Sequence, residues 1–183
     1  MNRRGNHEVM IRGAFTNSKI KNKLLNREGG FTVHYPDYQE MTIYDAAEKY
    51  REEHKKLVIF AGERYGMGSS RDWAAKGTKL LGVEAVIARS FERIHRENLV
   101  CMGVLPIEFL QEDRYESLKI DPSKGVSIVL PKVLSPNSIA SLRYFEGSSE
   151  KLVQVKVRLD TSKEVEYYLS GGIMHYLMNS LIA

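Results

Sequence analysis

"LVIFAGERYGMGSSRDWAAKGTKLLGVEAVIARS", residues 57–90, carries the reading of the fold. Its first five residues, "LVIFA" (57–61), are a short apolar run ending at Gly62, the pattern of a buried strand. After a glycine-rich stretch, Trp73, Gly77, Leu80 and Leu81 fall at i, i+4, i+7 and i+8, one face of a helix that Gly82 closes. "EAVIAR" (84–89) reads as a second strand. Phe91, Ile94, His95, Asn98, Leu99 and Met102 keep helical spacing up to Gly103. "VLPIEFL" (104–110) then gives a third strand, which Pro106 assigns to an edge or a bulge. Strand–helix–strand–helix–strand predicts parallel pairing through right-handed crossovers.

Outward from this block the pattern changes. Upstream, Asp45 and Glu48 in "YDAAEKYREEHKK" (44–56) form a D-x-x-E box that predicts a helix start. Residues 3–40 yield only a loop with a short helix. Downstream, "VSIVLP" (126–131), "KLVQVKVRLD" (151–160) and "KEVEYYL" (163–169) alternate apolar and polar, with "DTSK" as a turn. That predicts antiparallel strands. Gly171 and Gly172 precede a last amphipathic helix, "IMHYLMNSLI" (173–182), whose Tyr and Met residues are assigned to the core.

The 183 residues suffice for one domain with a full core, and 43% hydrophobic with 27% charged residues is the balance of a soluble globular protein. A net charge of +4, without a dense basic run interleaved with aromatics, suits an acidic small molecule and does not point to nucleic acid. One cysteine, Cys101, excludes an internal disulfide framework and fits a reducing compartment. A single thiol cannot by itself hold an iron–sulfur cluster or a multi-cysteine zinc site. No stretch approaches a membrane span and "MNRRGNHEVMIRG" (1–13) has no apolar signal region, so a cytoplasmic protein is expected.

The loop "YGMGSSRDWAAKG" (65–77) fails both common phosphate fingerprints. A Walker A loop needs a lysine after its last glycine, where Ser69 stands. A dinucleotide fingerprint needs a third glycine, where Arg71 stands. Two readings stay open from the residues. Ser69, Ser70 and Asp72 can be plain helix-capping residues beside a surface Arg71. Alternatively, Gly66 and Gly68 let the backbone approach an anion at a helix N-terminus, and Arg71 grips a carboxylate in a bidentate fork. In such a field a serine hydroxyl ionises more readily and can take a proton from carbon beside a carboxylate.

"GMGSSRDWAAKG" and the following "LLGVEAVIARSFERIHRENLVCMGVLPIEF" resemble the C-terminal swivel domain of the aconitase family. The likeness is to the branch of bacterial aconitase A and the cytosolic aconitase/iron-regulatory proteins. "RRGNHEVMIRGAFTN" and "YLSGGIMHYL" extend it over nearly the whole chain. The resemblance implies an α/β fold: a swivelling three-layer β/β/α domain over residues 1–183, its central sheet mostly parallel, with antiparallel C-terminal strands. It implies a hydro-lyase interconverting citrate and isocitrate through cis-aconitate, with a [4Fe–4S] cluster whose ligands lie outside this chain. Carried over by motif, Ser69 is the alkoxide base, Ser70 and Arg71 bind the tricarboxylate substrate, and Gly66 and Gly68 shape the loop. The implied partners are the cluster-bearing aconitase domains 1–3, in cis or in trans, and the chain alone is expected to be inactive. Two rival readings are half of an RNA clamp, and the small subunit or domain of a 2-methylcitrate, homoaconitate or isopropylmalate hydro-lyase. A fragment of a larger aconitase is favoured over a small subunit, because isopropylmalate isomerase subunits lack a motif like "RDWAAKG".

The remaining residues carry plainer expectations. His95 is read as a hydrogen-bonded core histidine, and His7, His34, His54 and His175 show no ligand spacing. Arg3, Arg4 and Arg12 are read as contacts to the missing body. Cys101 is read as a small packed residue, and Gly77 as a site of close helix–sheet packing.

Overall fold

Five elements of alternating type across residues 57–109 set the architecture, as their apolar periodicity predicts. In the computed structural model, which describes residues 6–68, 72–110 and 115–182, the chain opens with α1 (His7–Met10) and a 3-10 turn. A hairpin of β1 (Phe31–His34) and β2 (Gln39–Thr42) and the helix α2 (Ile43–Glu52) follow. Then come β3 (Leu57–Ala61), α3 (Asp72–Leu80), β4 (Val83–Ala88), α4 (Arg93–Cys101) and β5 (Leu105–Phe109). The second half adds α5 (Tyr115–Leu118), β6 (Ser127–Val129), β7 (Ile139–Glu146), β8 (Ser149–Val157), α6 (Ser162–Leu169) and α7 (Ile173–Ile182).

The main sheet has the order β3-β4-β5-β8-β7-β6. β3, β4 and β5 are parallel, and β5-β8-β7-β6 are antiparallel, so the two predicted halves join edge to edge at β5–β8. Strand alternation then sorts the layers. Val58, Phe60, Ala85, Ile87, Ile107 and Phe109 point to one side and meet Ile128, Leu142, Val155 and Val157 from the antiparallel half in one core. Side chains from both ends of the sheet share that core, so the sheet curls onto itself. Leu57, Ile59 and Val86 point the other way, onto Ala75 of α3 and Leu99 of α4. The result is parallel sheet between antiparallel sheet and helices, a β/β/α arrangement. A third cluster, Ile11, Ala47 and Leu81, packs the N-terminal segment and α2 against the end of α3.

A buried ion pair ties α4 to α6. Arg96 donates to both carboxylate oxygens of Glu164, at 3.0 and 2.8 Å, and to the Arg158 carbonyl at 2.9 Å. Glu164 also accepts the Asp160 N–H at 2.6 Å. Arg158 in turn holds Asp160 and Glu108, fastening the end of β8 to β5.

Several sequence expectations are corrected. "KEVEYYL" is helix α6, not a strand: Thr161 Oγ1 caps it by accepting the Glu164 N–H at 3.2 Å, and the Arg96 pair needs Glu164 on a helical turn. "DTSK" is therefore a helix start rather than a hairpin turn. Strand β5 is central, not an edge. Pro106 is tolerated because it lies where the β8 ladder runs out, and only its carbonyl is used, by the Arg158 N–H at 2.9 Å. α2 begins two residues before Asp45, since Thr42 is its cap, accepting the Asp45 N–H at 3.1 Å. Gly77 is tight against Ala14 of the N-terminal segment, 3.3 Å from where its Cβ would lie, rather than against the sheet. β7 and the β1–β2 hairpin were not read from the sequence. The apolar face of α7 is not core: no residue of that helix is buried.

Candidate functional site

The glycine loop leaves the carboxyl end of β3, where parallel sheets present ligand sites. Its first half is laced to the β4–α4 connection. The Arg64 N–H donates to Ser90 Oγ at 2.8 Å and the Tyr65 N–H to the Ser90 carbonyl at 2.9 Å. The Glu92 N–H returns to the Tyr65 carbonyl at 2.9 Å, and the Arg89 N–H reaches the Gly62 carbonyl at 3.1 Å. These bonds make residues 62–66 and 89–92 one rigid piece beneath the loop.

Beyond that piece the backbone turns through two left-handed glycines, Gly66 at φ 90° and Gly68 at φ 93°. They are required for different reasons. Nothing lies within 4 Å of where a Cβ on Gly68 would stand, so only its φ needs glycine. A Cβ on Gly66 would fall inside 3.0 Å of Cβ, Cγ and Cδ2 of His95, nearer than real Cβ atoms come. The imidazole is thus the floor of the loop. His95 is 3% exposed, lies edge-on to Tyr65 at 5.3 Å, and sits in the first turn of α4, where the Glu92 carboxylate caps its N–H at 3.0 Å. Burial pushes the imidazole below its ordinary range, with Glu92 opposing, so the ring is neutral. Nδ1 is buried without a partner among the described residues. Desolvation pushes the Tyr65 phenol up to about 12, against a Thr78 hydrogen bond that lowers it, which leaves Tyr65 no base near neutral pH.

Tyr65, Gly66, Met67 and His95 line one end of an open cleft of about 1340 Å³ running along β3 towards the N-terminal segment. Gly66 and Gly68 are thus placed by the structure at the loop. Ser69, Ser70, Arg71, Arg3 and Arg4 lie outside the described residues. Arg12 stacks on the Tyr44 ring, its guanidinium carbon 4.6 Å from the centroid. Among the described residues no three His, Cys, Asp or Glu side chains cluster to hold a metal ion, and no helix is long and apolar enough to cross a membrane. The sequence reading missed two features. His34, 1% exposed, is held by Asp37 Oδ1 at 2.7 Å, three residues on, with Glu53 Oε1, far along the chain, 3.1 Å away. The floor role of His95 was missed as well, because it joins residues 29 apart in the sequence.

Residues 1–112 match the Aconitase C-terminal domain family. The chain belongs to that family. "Aconitate hydratase A" of Pseudomonas aeruginosa is 51% identical over 98% of this chain and 20% of its own length. "Aconitate hydratase A" of Bradyrhizobium diazoefficiens is 50% identical over 99% of this chain and 21% of its own length. The chain therefore spans about a fifth of the length of the curated relatives it matches. A crystal structure of 3-isopropylmalate dehydratase from Methanocaldococcus jannaschii is similar at a TM-score of 0.47 and 23% identity, over 78% of this chain and 80% of that one. That likeness is too distant to bear on function.

Proposed function

We propose that this aconitase C-terminal domain is the part of an aconitate hydratase that supplies a serine base and a carboxylate-binding arginine to a site completed by the rest of a longer polypeptide. The observation that carries the reading is identity of about half over 98–99% of the chain with proteins named aconitate hydratase A. The loop geometry supports it: a rigid strand-end platform, two left-handed glycines and a helix start follow one another with the Ser-Ser-Arg triplet between them. In each relative the matching segment belongs to one long chain, which favours attachment of the remaining domains in cis.

In this reading Arg71 holds a substrate carboxylate through two parallel N–H···O bonds, and Ser70 adds a hydroxyl contact. Ser69, as alkoxide, takes the proton from the carbon next to a carboxylate. The C–H electron pair becomes the new carbon–carbon double bond as the neighbouring C–O bond breaks, and water leaves with a proton from groups outside this chain. Helix N–H groups and the guanidinium make the serine anion tolerable.

The residues of this chain do not fit the iron–sulfur cluster that the family implies. Cys101 is the one cysteine, and burial pushes its thiol up, away from the thiolate a cluster ligand must be. The reading therefore assigns the cluster to other parts of the polypeptide. The decisive experiment is Ser69→Ala in the full polypeptide, assayed on citrate. Turnover is expected to fall by roughly three to five orders of magnitude with little change in KM. Near-normal turnover would remove Ser69 as the base.

A further inference from the structure

We propose that the outward face of α7 is a docking surface for the remainder of the same longer polypeptide. This rests on the reading that the chain is one domain of such a polypeptide. Met174, Leu177, Met178, Leu181 and Ile182 follow i, i+3, i+4, i+7 and i+8 spacing, and they are 47–87% exposed. On the inner side Tyr176 packs edge-on to Tyr167 at 5.0 Å, and its hydroxyl meets Lys163 Nζ at 2.6 Å. The helix contains no Asp, Glu, Lys or Arg, and its polar residues His175, Asn179 and Ser180 lie off the stripe of Met174, Leu177, Met178 and Leu181. An apolar stripe of this kind turned outward is a face that calls for cover.

α7 is also held rigidly, so its bare face is presented in a fixed orientation. Its start lies directly against the end of α4: a Cβ on Gly172 would come within 2.8 Å of the Cys101 carbonyl oxygen. The Gly172 N–H bonds the Tyr167 carbonyl at 2.8 Å and the Gly172 carbonyl accepts the Tyr176 N–H at 3.0 Å.

Area selects the occupant. Five half-bare to nearly bare side chains make a patch on the order of several hundred Å², at the upper end of what a monomer leaves exposed. A stable dimer buries roughly 800 Å² per partner, which one ten-residue helix face does not provide. A tethered body needs less, because linkage supplies an effective concentration of roughly millimolar. The curated relatives have about four-fifths of their length outside the matched segment, ample to supply that body. With no charge on the face, the partner surface is apolar.

Met174 and Met178 are built-in reporters, since a thioether oxidises according to its exposure. In the native full polypeptide, peroxide oxidation of both, read by mass spectrometry, should be slowed at least roughly tenfold relative to the denatured polypeptide. The protection should be unchanged over an about hundredfold range of protein concentration. Leu177→Glu should abolish it while preserving the thermal transition of the remaining structure. Oxidation of both methionines at near-denatured rates would overturn the proposal. Protection that disappears on dilution would overturn it in favour of a second copy of the chain. Protected methionines beside a fully active Ser69→Ala would leave the docking standing and remove the base assignment; unprotected methionines beside an inactive Ser69→Ala would do the reverse.

Discussion

Gly66 and Gly68 offer a matched pair, because both are left-handed and only one is crowded. Alanine at either position meets the same backbone penalty, about 1–2 kcal/mol for an L-residue in that region. At Gly68 nothing else opposes the new methyl group. At Gly66 it must displace His95, which at 3% exposure cannot step aside, and forced overpacking adds about 1–3 kcal/mol. Gly66→Ala should therefore lower Tm by roughly 4–20 °C and Gly68→Ala by roughly 2–8 °C, at about 2–4 °C per kcal/mol for a chain of this size. Thermal unfolding of the 183-residue chain measures both. A double-mutant cycle with His95→Gly isolates the clash, since alanine would keep the Cβ that Gly66 also meets: once the whole side chain is gone, Gly66→Ala should lose only its backbone part, a coupling of about 1–3 kcal/mol. Equal Tm losses for the two glycines, or strict additivity in the cycle, would refute His95 as the loop's floor.

The remaining predictions concern charge. Glu164→Gln removes the carboxylate that the buried Arg96 guanidinium bonds twice, leaving it only Asp160, whose Oδ2 is 3.5 Å from Nε, and should cost up to about 3 kcal/mol, roughly 6–12 °C in Tm. Burial raises the Glu164 carboxyl, but the Arg96 bonds and the Asp160 N–H outweigh it and hold it below its ordinary 4.5; Arg158 holds Asp160 below 3.8. Both groups bind protons more readily unfolded, so their stabilisation is complete above about pH 4.5 and is lost as the pH falls through the depressed folded values. Acid-unfolding curves should show Glu164→Gln less sensitive to pH below 4.5 than the parent chain; parallel curves would contradict the pairing. In the full polypeptide, Arg71→Lys should raise KM roughly 10- to 100-fold with a smaller fall in kcat, since an ammonium lacks the bidentate fork. An unchanged KM would mean that Arg71 does not touch the carboxylate.

The parallel half was legible because its signals are local: apolar runs closed by Gly62, Gly82 and Gly103, with helical periods between them. α6 was misread because "KEVEY" alternates in polarity like a strand. What makes it a helix is partly local, the Thr161 cap, and partly a guanidinium 68 residues away. The signal of β7 was present, since its inward Ala140, Leu142 and Tyr144 alternate strictly with Ser141 and Arg143, and it was overlooked. α7 was taken as core because an apolar pattern reports the need for cover and is silent on what provides it. The loop was legible as a glycine turn running into a helix. That its first glycine answers to a histidine ring 29 residues on was not, since such a contact exists only after the β3–α3–β4 crossover, the first of the two, has set the strand ends side by side.

Those crossovers also explain why one helix bears on both ends of the argument. The first turn of α4 carries His95 under Gly66, and Glu92 both caps that turn and holds the Tyr65 carbonyl. The last turn of α4 meets the glycines that start α7. Nine residues of helix separate these ends by roughly 13 Å. The middle is pinned, because Arg96 is locked to Glu164 and Leu99 is buried against the sheet. α4 therefore has little freedom to slide or tilt independently of either end. A body seated on α7 would be referenced to the loop through a helix that is fixed along its length, not through a flexible linker. That is the physical reason a domain of this build can hold a strand-end loop in register with groups contributed by another part of the polypeptide.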